Sequence, residues 1–184
     1  MNPITTSLII LGVCLLSFLV TYNKLVTLSN MTKESWSGID TELKRRYDLI
    51  PNLVETVRGY AKHEQYVLES VTQLRAQALN STGSPASQAK DENAFVGALK
   101  SLFAVAENYP ALKADQHFLS LQNELTNTEN RIQAARRFYN GNVRDYNNVV
   151  QMFPSNILAM MFSFKEKEYF EIEDSSQRLT PKTL

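Results

Sequence analysis

A single cysteine, Cys14, serves the whole chain. It cannot close an internal disulfide, so the sequence neither requires nor excludes an oxidising compartment. It also sits in an uncharged apolar stretch, which removes it from thiol catalysis in water. Histidine is nearly as scarce, with only His63 and His117. His63-Glu64 has Val67 where the zinc-protease helix motif needs a second histidine. Tyr60 and Ala114 stand three residues before the two histidines, where a bundle di-iron site places glutamate. There is no Gly-rich phosphate loop and no Gly-x-Ser-x-Gly elbow. The expectation is therefore no enzyme, with no catalytic, cofactor-binding or metal-binding residues. Excess charge is missing too. Lys plus Arg equals Asp plus Glu at 19 each, so no basic field draws nucleic acid non-specifically. Glycine and proline number 6 each, and no run alternates apolar and polar residues for long. Those shortages favour an all-α chain.

What is present begins with residues 4–22, ITTSLIILGVCLLSFLVTY, which carry no charge. As a helix they span roughly 28 Å at about 1.5 Å per residue, close to the hydrocarbon thickness of a bilayer. A cleaved signal peptide would place Lys or Arg ahead of the apolar core and small residues at a cleavage site. Only Met1, Asn2 and Pro3 precede, and no A-x-A follows. The stretch reads as an uncleaved transmembrane anchor, residues 1–23. Lys24 and Lys33 follow it and no basic residue precedes it, a bias that puts the domain in the cytoplasm.

The organising stretch is Trp36 to Glu64. Its apolar positions Trp36, Ile39, Leu43, Tyr47, Ile50, Val54, Val57 and Ala61 step by three and four, one face of an α-helix. Pro51 removes an amide donor and crowds the Tyr47 carbonyl, yet the stripe keeps its phase. One long helix with a kink is the reading; a fresh start at Pro51 with Asp48 near the cap is the alternative. Nothing breaks the pattern between the anchor and Leu79, so the expected helix covers 24–79. Residues 80–92, NSTGSPASQAKDE, read as a loop. A short helix over 93–108 presents Phe95, Leu99, Leu102 and Ala106 on one face. Tyr109-Pro110 ends or bends it, and Asp115 caps a second long helix from Gln116 to Phe153. Pro154 closes that helix. An apolar run, Ile157 to Phe164, precedes a charged tail that need not be ordered. The expected fold is an antiparallel helical bundle over 24–163 with a tail over 164–184. Whether Tyr109-Pro110 is a turn or a kink decides between three and four rods.

Charges flank the stripes. Asp40 and Lys44, and Glu42 and Arg46, are spaced for i,i+4 helical ion pairs. Arg46 adjoins Tyr47 on the apolar face, and Glu129 and Arg136 flank Ile132. These fit either a solvated helix edge or a polar layer that fixes register between helices. Lys44, Arg45 and Arg46 lie roughly 33 Å along a straight helix from the anchor, beyond the reach of headgroup attraction. Asn140, Asn147 and Asn148, with Tyr139 and Tyr146, form YN-x5-YNN, which fits internal hydrogen bonding or a polar face offered to a partner helix.

These residues resemble the LemA family. The resemblance rests on Tyr22-Asn23-Lys24-Leu25-Val26 after the anchor, ID-x2-L-x-RR-x-DLIPNLVETV and HE from Ile39 to Glu64, and ENYPALKA from Glu107 to Ala114. LQNELTNTENRI, AARRFYN and DYN follow on the last long helix, then Phe153-Pro154. The match covers most of the chain in order. It implies a membrane-tethered antiparallel bundle of long helices in a bacterial inner membrane, with no known enzymatic activity. Relatives are linked to membrane organisation and envelope functions. The polar positions matching the family's pattern are Asp40, Arg45, Arg46, Asp48, Asn52, Glu107, Glu129, Arg136 and Asn140, candidates for structural or partner contacts.

The expected function is that of a non-catalytic single-pass membrane protein, an interaction scaffold or adaptor for a membrane or envelope-associated partner. The alternative is a self-assembling, membrane-organising homo-oligomer, with Ile157 to Phe164 as its adhesive surface.

Overall fold

The computed structural model describes residues 2–171; the end of the charged tail, 172–184, lies outside the described residues. Among the described residues six helices follow in order: α1 (Pro3–Tyr60), α2 (Gln65–Leu79), α3 (Pro85–Ala106), α4 (Pro110–Lys113), α5 (Gln116–Gln151) and α6 (Ser155–Met161). No strand occurs among the described residues. The protein is all-α.

Helix α1 runs 58 residues with Pro51 inside it. The fresh-start reading at Pro51 is thereby set aside. The helix would normally bond the residue-51 amide to the Tyr47 carbonyl, and proline has no such donor. Arg75 of α2 supplies the replacement, its Nε donating to the Tyr47 carbonyl at 2.7 Å. A side chain from a neighbouring helix thus satisfies the orphaned acceptor, which lets the helix continue.

The break comes later than expected. Helix α1 ends at Tyr60, four residues turn, and α2 begins at Gln65, so the expected single helix over 24–79 is two helices. Residues 80–92 also need correction. Pro85 opens α3 at its first turn, where a missing amide costs nothing. The loop is only 80–84, and Lys90, Asp91 and Glu92 are helical. Tyr109-Pro110 is a full change of element: Pro110 starts the one-turn α4, and α5 follows. Asp115 caps α5 as expected, accepting from the Phe118 amide at 2.9 Å.

The chain forms two compact units, one comprising residues up to Gly38 with Arg137–Lys167 and the other Ile39–Arg136 with the residues from Glu168 on. In the second unit, four rods pack in up-and-down order: the end of α1, α2, α3 and the start of α5. Tyr47 meets Phe95 with ring centroids 5.8 Å apart, and Phe103 meets Phe118 at 6.3 Å. Ile39, Ile50, Leu53, Val57, Val71, Leu102 and Ile132 are buried between them, each contributing about 1.5–3 kcal/mol by leaving water. In the first unit, Leu25, Tyr146 and Ala159 form a core with Leu28, Val149, Leu158 and Phe164 packed against it. Trp36 lies edge-on to Tyr139 at 5.2 Å.

Helix α6 ends in a paired-bond cap. The Phe164 amide donates to the Ala159 carbonyl and the Ser163 amide to Met160. Ser163 takes φ 58°, the left-handed position that glycine usually fills in this motif. The cap turns Phe164 back into the core. Beyond it, the first tail residues are held down. Tyr146 Oη donates to the Lys165 carbonyl at 3.0 Å, and the Asn147 amide exchanges two bonds with the Lys167 backbone at 2.9 Å. Phe170 is fully buried in the other unit.

Candidate functional site

Helix α1 places Arg46 and Tyr47 side by side toward α3 and α5. Arg46 is 2% exposed and Glu92 of α3 is 1% exposed. One guanidinium nitrogen, Nη2, pairs with Glu92 and the other, Nη1, donates to Glu129 Oε2 of α5 at 2.9 Å. Tyr47 Oη bonds the second oxygen of Glu92, and the Arg46 guanidinium lies 5.5 Å from the centre of the Phe95 ring. One guanidinium and two carboxyl groups from three helices therefore form a polar layer, buried at Arg46 and Glu92 and partly exposed at Glu129. Burial pushes the Glu92 carboxyl up to about 8, with the Glu129 carboxylate adding to the rise. Burial also lowers Arg46, against the opposing pull of Glu129. A tyrosine hydroxyl can donate or accept, so the same arrangement serves Glu92 in either protonation state.

Of the two sequence readings, the polar layer is what Arg46 and Glu129 form. Glu42 does not take Arg46 as its helical partner; its carboxylate lies 3.8 Å from Arg131 of α5. Glu92 was missed because it fell in the presumed loop. Its signal was phase: Glu92, Phe95, Leu99, Leu102 and Ala106 step by three and four. The other positions are peripheral. Asp40, Arg45, Asp48, Asn52 and Glu107 are exposed, and Arg136 and Asn140 are half-buried.

Beside the layer, α3 and α5 leave a cleft of about 390 Å³, lined in part by Leu99, Phe103, Leu125, Lys100, Glu129 and Arg136. Its lining mixes apolar side chains with charged ones. Among the described residues, no group of three or more His, Cys, Asp or Glu is placed to hold a metal ion. His63 and His117 are both exposed.

At one end of the bundle two turns are tied together. Tyr60 Oη donates to Asp115 at 2.9 Å, and Tyr109 Oη donates to Glu64 at 3.3 Å. The HE and ENYPALKA motifs thus meet through Glu64 and Tyr109. The repeated asparagines divide. Asn147 is buried and pins the strap at Lys167, while Asn148 is exposed. Lys167 Nζ in turn donates to the Ser29 carbonyl at 2.8 Å, bonds Thr32 and lies 4.8 Å above the Tyr146 ring.

The first turns of α1 carry no charge, and their large apolar side chains are exposed, with Leu8, Ile10, Leu11, Leu16 and Val20 more than half so. This helix is long and apolar enough to cross a membrane. The class is a membrane-associated, all-helical bundle protein with a polar layer of Arg46, Glu92 and Glu129 inside the bundle. The chain belongs to the LemA family, whose profile matches residues 35–183. It is similar to Magnetosome protein MamQ 2 of Paramagnetospirillum magneticum, 25% identical over 92% of this chain and 73% of that protein. Magnetosome protein MamQ of Magnetospirillum gryphiswaldense is 24% identical over the same shares. Protein LemA of Metamycoplasma hominis is 27% identical over 85% of this chain and 75% of its own length.

Proposed function

We propose that this chain is a non-catalytic, single-pass protein of a bacterial inner membrane, with its helical bundle on the cytoplasmic side serving as an interaction scaffold for a membrane or envelope-associated protein. The observation that carries the reading is that one helix, α1, holds both the exposed apolar turns and the buried stripe of the bundle. A tether continuous with a packed core suits a protein that holds a surface near a bilayer. The polar layer is spent on internal register: Arg46, Glu92 and Glu129 face one another. Relatives named as magnetosome proteins support work within an assembly. Orientation rests on Lys24 and Lys33, which follow the apolar run.

The test is in-membrane crosslinking of the full chain, followed by gentle solubilisation and affinity capture. A reproducible heterologous partner at stoichiometric yield is expected. Repeatedly empty captures, or capture of only the chain itself, overturn the scaffold reading. Protease added to intact spheroplasts should leave the bundle uncut; cleavage there reverses the orientation.

A further inference from the structure

From Tyr146 to Phe164 the chain carries no charged residue. This second uncharged run contains the end of α5, the Phe153-Pro154 turn and α6. Its inward residues are accounted for by the core: Tyr146, Ala159, Leu158 and Phe164. Its outward residues are large and apolar. Met152 is 62% exposed, Phe153 78%, Met160 72% and Met161 67%, with Ile157 and Phe162 nearly half exposed. In water such a contiguous patch is a liability and marks an interaction surface.

Ring contacts fix where this patch lies along α1. The Phe162 ring is 4.9 Å from Tyr22 and 6.0 Å from Phe18, and Phe164 is 6.1 Å from Tyr22. Phe18 and Tyr22 are the last turn of the uncharged 4–22 stretch. The patch is therefore level with the end of the membrane-spanning segment and continuous with its exposed apolar surface. Charge returns just past that level, at Lys24 on α1 and Lys165 after α6. That sequence of apolar surface, aromatic rings and then lysine matches the order of hydrocarbon, interface and headgroup in a bilayer.

We propose that the Phe153 turn and α6 form a second, monotopic membrane contact, seated in the interfacial layer of the leaflet where α1 leaves the bilayer. The occupant of the patch is lipid. This rests on the reading of residues 4–22 as a transmembrane segment. A single helix could rotate and tilt freely in the bilayer; a second contact beside it fixes the azimuth of the protein about α1.

The experiment uses the full chain in vesicles of phosphatidylcholine and phosphatidylglycerol, at one chain per vesicle, with an environment-sensitive fluorophore on a single cysteine. The native Cys14 reports on the anchor. In a Cys14→Ala background, Met160→Cys reports on α6, and Ser101→Cys, an exposed residue of α3, is the aqueous control. The expected result at Met160→Cys is a blue-shifted emission and quenching by shallow spin-labelled lipid several-fold above the Ser101→Cys control. Deep quenching at Cys14 with control-level quenching at Met160→Cys overturns the α6 contact and leaves the anchor standing. Control-level quenching at both sites overturns the anchor reading and the α6 contact with it. A blue shift at Met160→Cys without lipid quenching, or one that appears only when chains are crowded, assigns the patch to a second copy and also overturns the proposal.

Discussion

Arg46 shows what a single buried side chain commits the fold to. Its guanidinium bonds Glu92 and Glu129, and its Nε is buried without a partner. Buried ion pairs add little net stability, but removing one member strands the other. Arg46→Met should therefore cost about 1–3 kcal/mol, because it leaves one oxygen of the buried Glu92 carboxyl without its hydrogen-bond partner and that carboxyl is largely neutral near pH 7, measured by denaturant unfolding in mild detergent. Combining it with Glu92→Leu should recover most of that loss. A double variant no more stable than Arg46→Met would show that the cluster's value is something other than mutual compensation. At Ser163 the sign reverses. A non-glycine residue in the left-handed region costs about 1–2 kcal/mol, partly offset by the smaller unfolded-state entropy of serine. Ser163→Gly should raise stability by about 1 kcal/mol, and a loss would mean the serine side chain contributes something its backbone position hides.

At the level of elements, Pro51 and Arg75 form a pair that neither helix explains alone. Arg75→Met leaves the Tyr47 carbonyl without the donor that now bonds it. An unsatisfied buried acceptor costs about 1–3 kcal/mol. Pro51→Ala restores the helical amide, so Arg75→Met should cost far less in that background. The double-mutant cycle reads the coupling directly, and additive effects would separate the two residues. This pair also shows what the sequence could and could not disclose. The apolar stripe kept its phase through Pro51, and the helix does run through it. The same stripe continued through Ala61 to Leu79, and there the chain turns. Periodicity reports which residues face the core; it does not see a short turn after which a new helix resumes the same facing. Proline misled in the other direction at position 85, where it opens a helix that the small polar residues around it disguised. Glu92 was lost with that helix. Arg46 and Glu129 were legible because each lay beside a buried stripe, whereas the strap at Lys165–Lys167 rests on backbone bonds that composition does not encode.

For the molecule as a whole, the buried carboxyl predicts an unusual pH profile. Glu92 rises from 4.5 to about 8 on folding, chiefly through burial. Between those values the folded chain holds a proton that the unfolded chain has lost, so stability falls as pH rises. The contribution is fully present below 4.5 and gone above about 8. Asp91 and Asp115 act oppositely. The Ser81 hydroxyl is the main cause holding Asp91 low, and the Phe118 amide does the same for Asp115. Their contribution is present above the ordinary aspartate value of 3.8 and fades as pH drops through their folded values. Glu92 therefore takes stability away on the alkaline side and the two aspartates take it away on the acid side. Thermal unfolding of the full chain in detergent should show a melting temperature that declines from pH 5 to pH 8, with a slope of at most about 1.4 kcal/mol per pH unit. Glu92→Gln removes the titrating group while retaining a side-chain amide for Tyr47, and should flatten the profile in that window. A wild-type profile already flat from pH 5 to 8 would mean that Arg46 holds Glu92 ionised throughout, and that the layer is a permanent ion pair in place of a guanidinium beside a neutral Glu92 carboxyl.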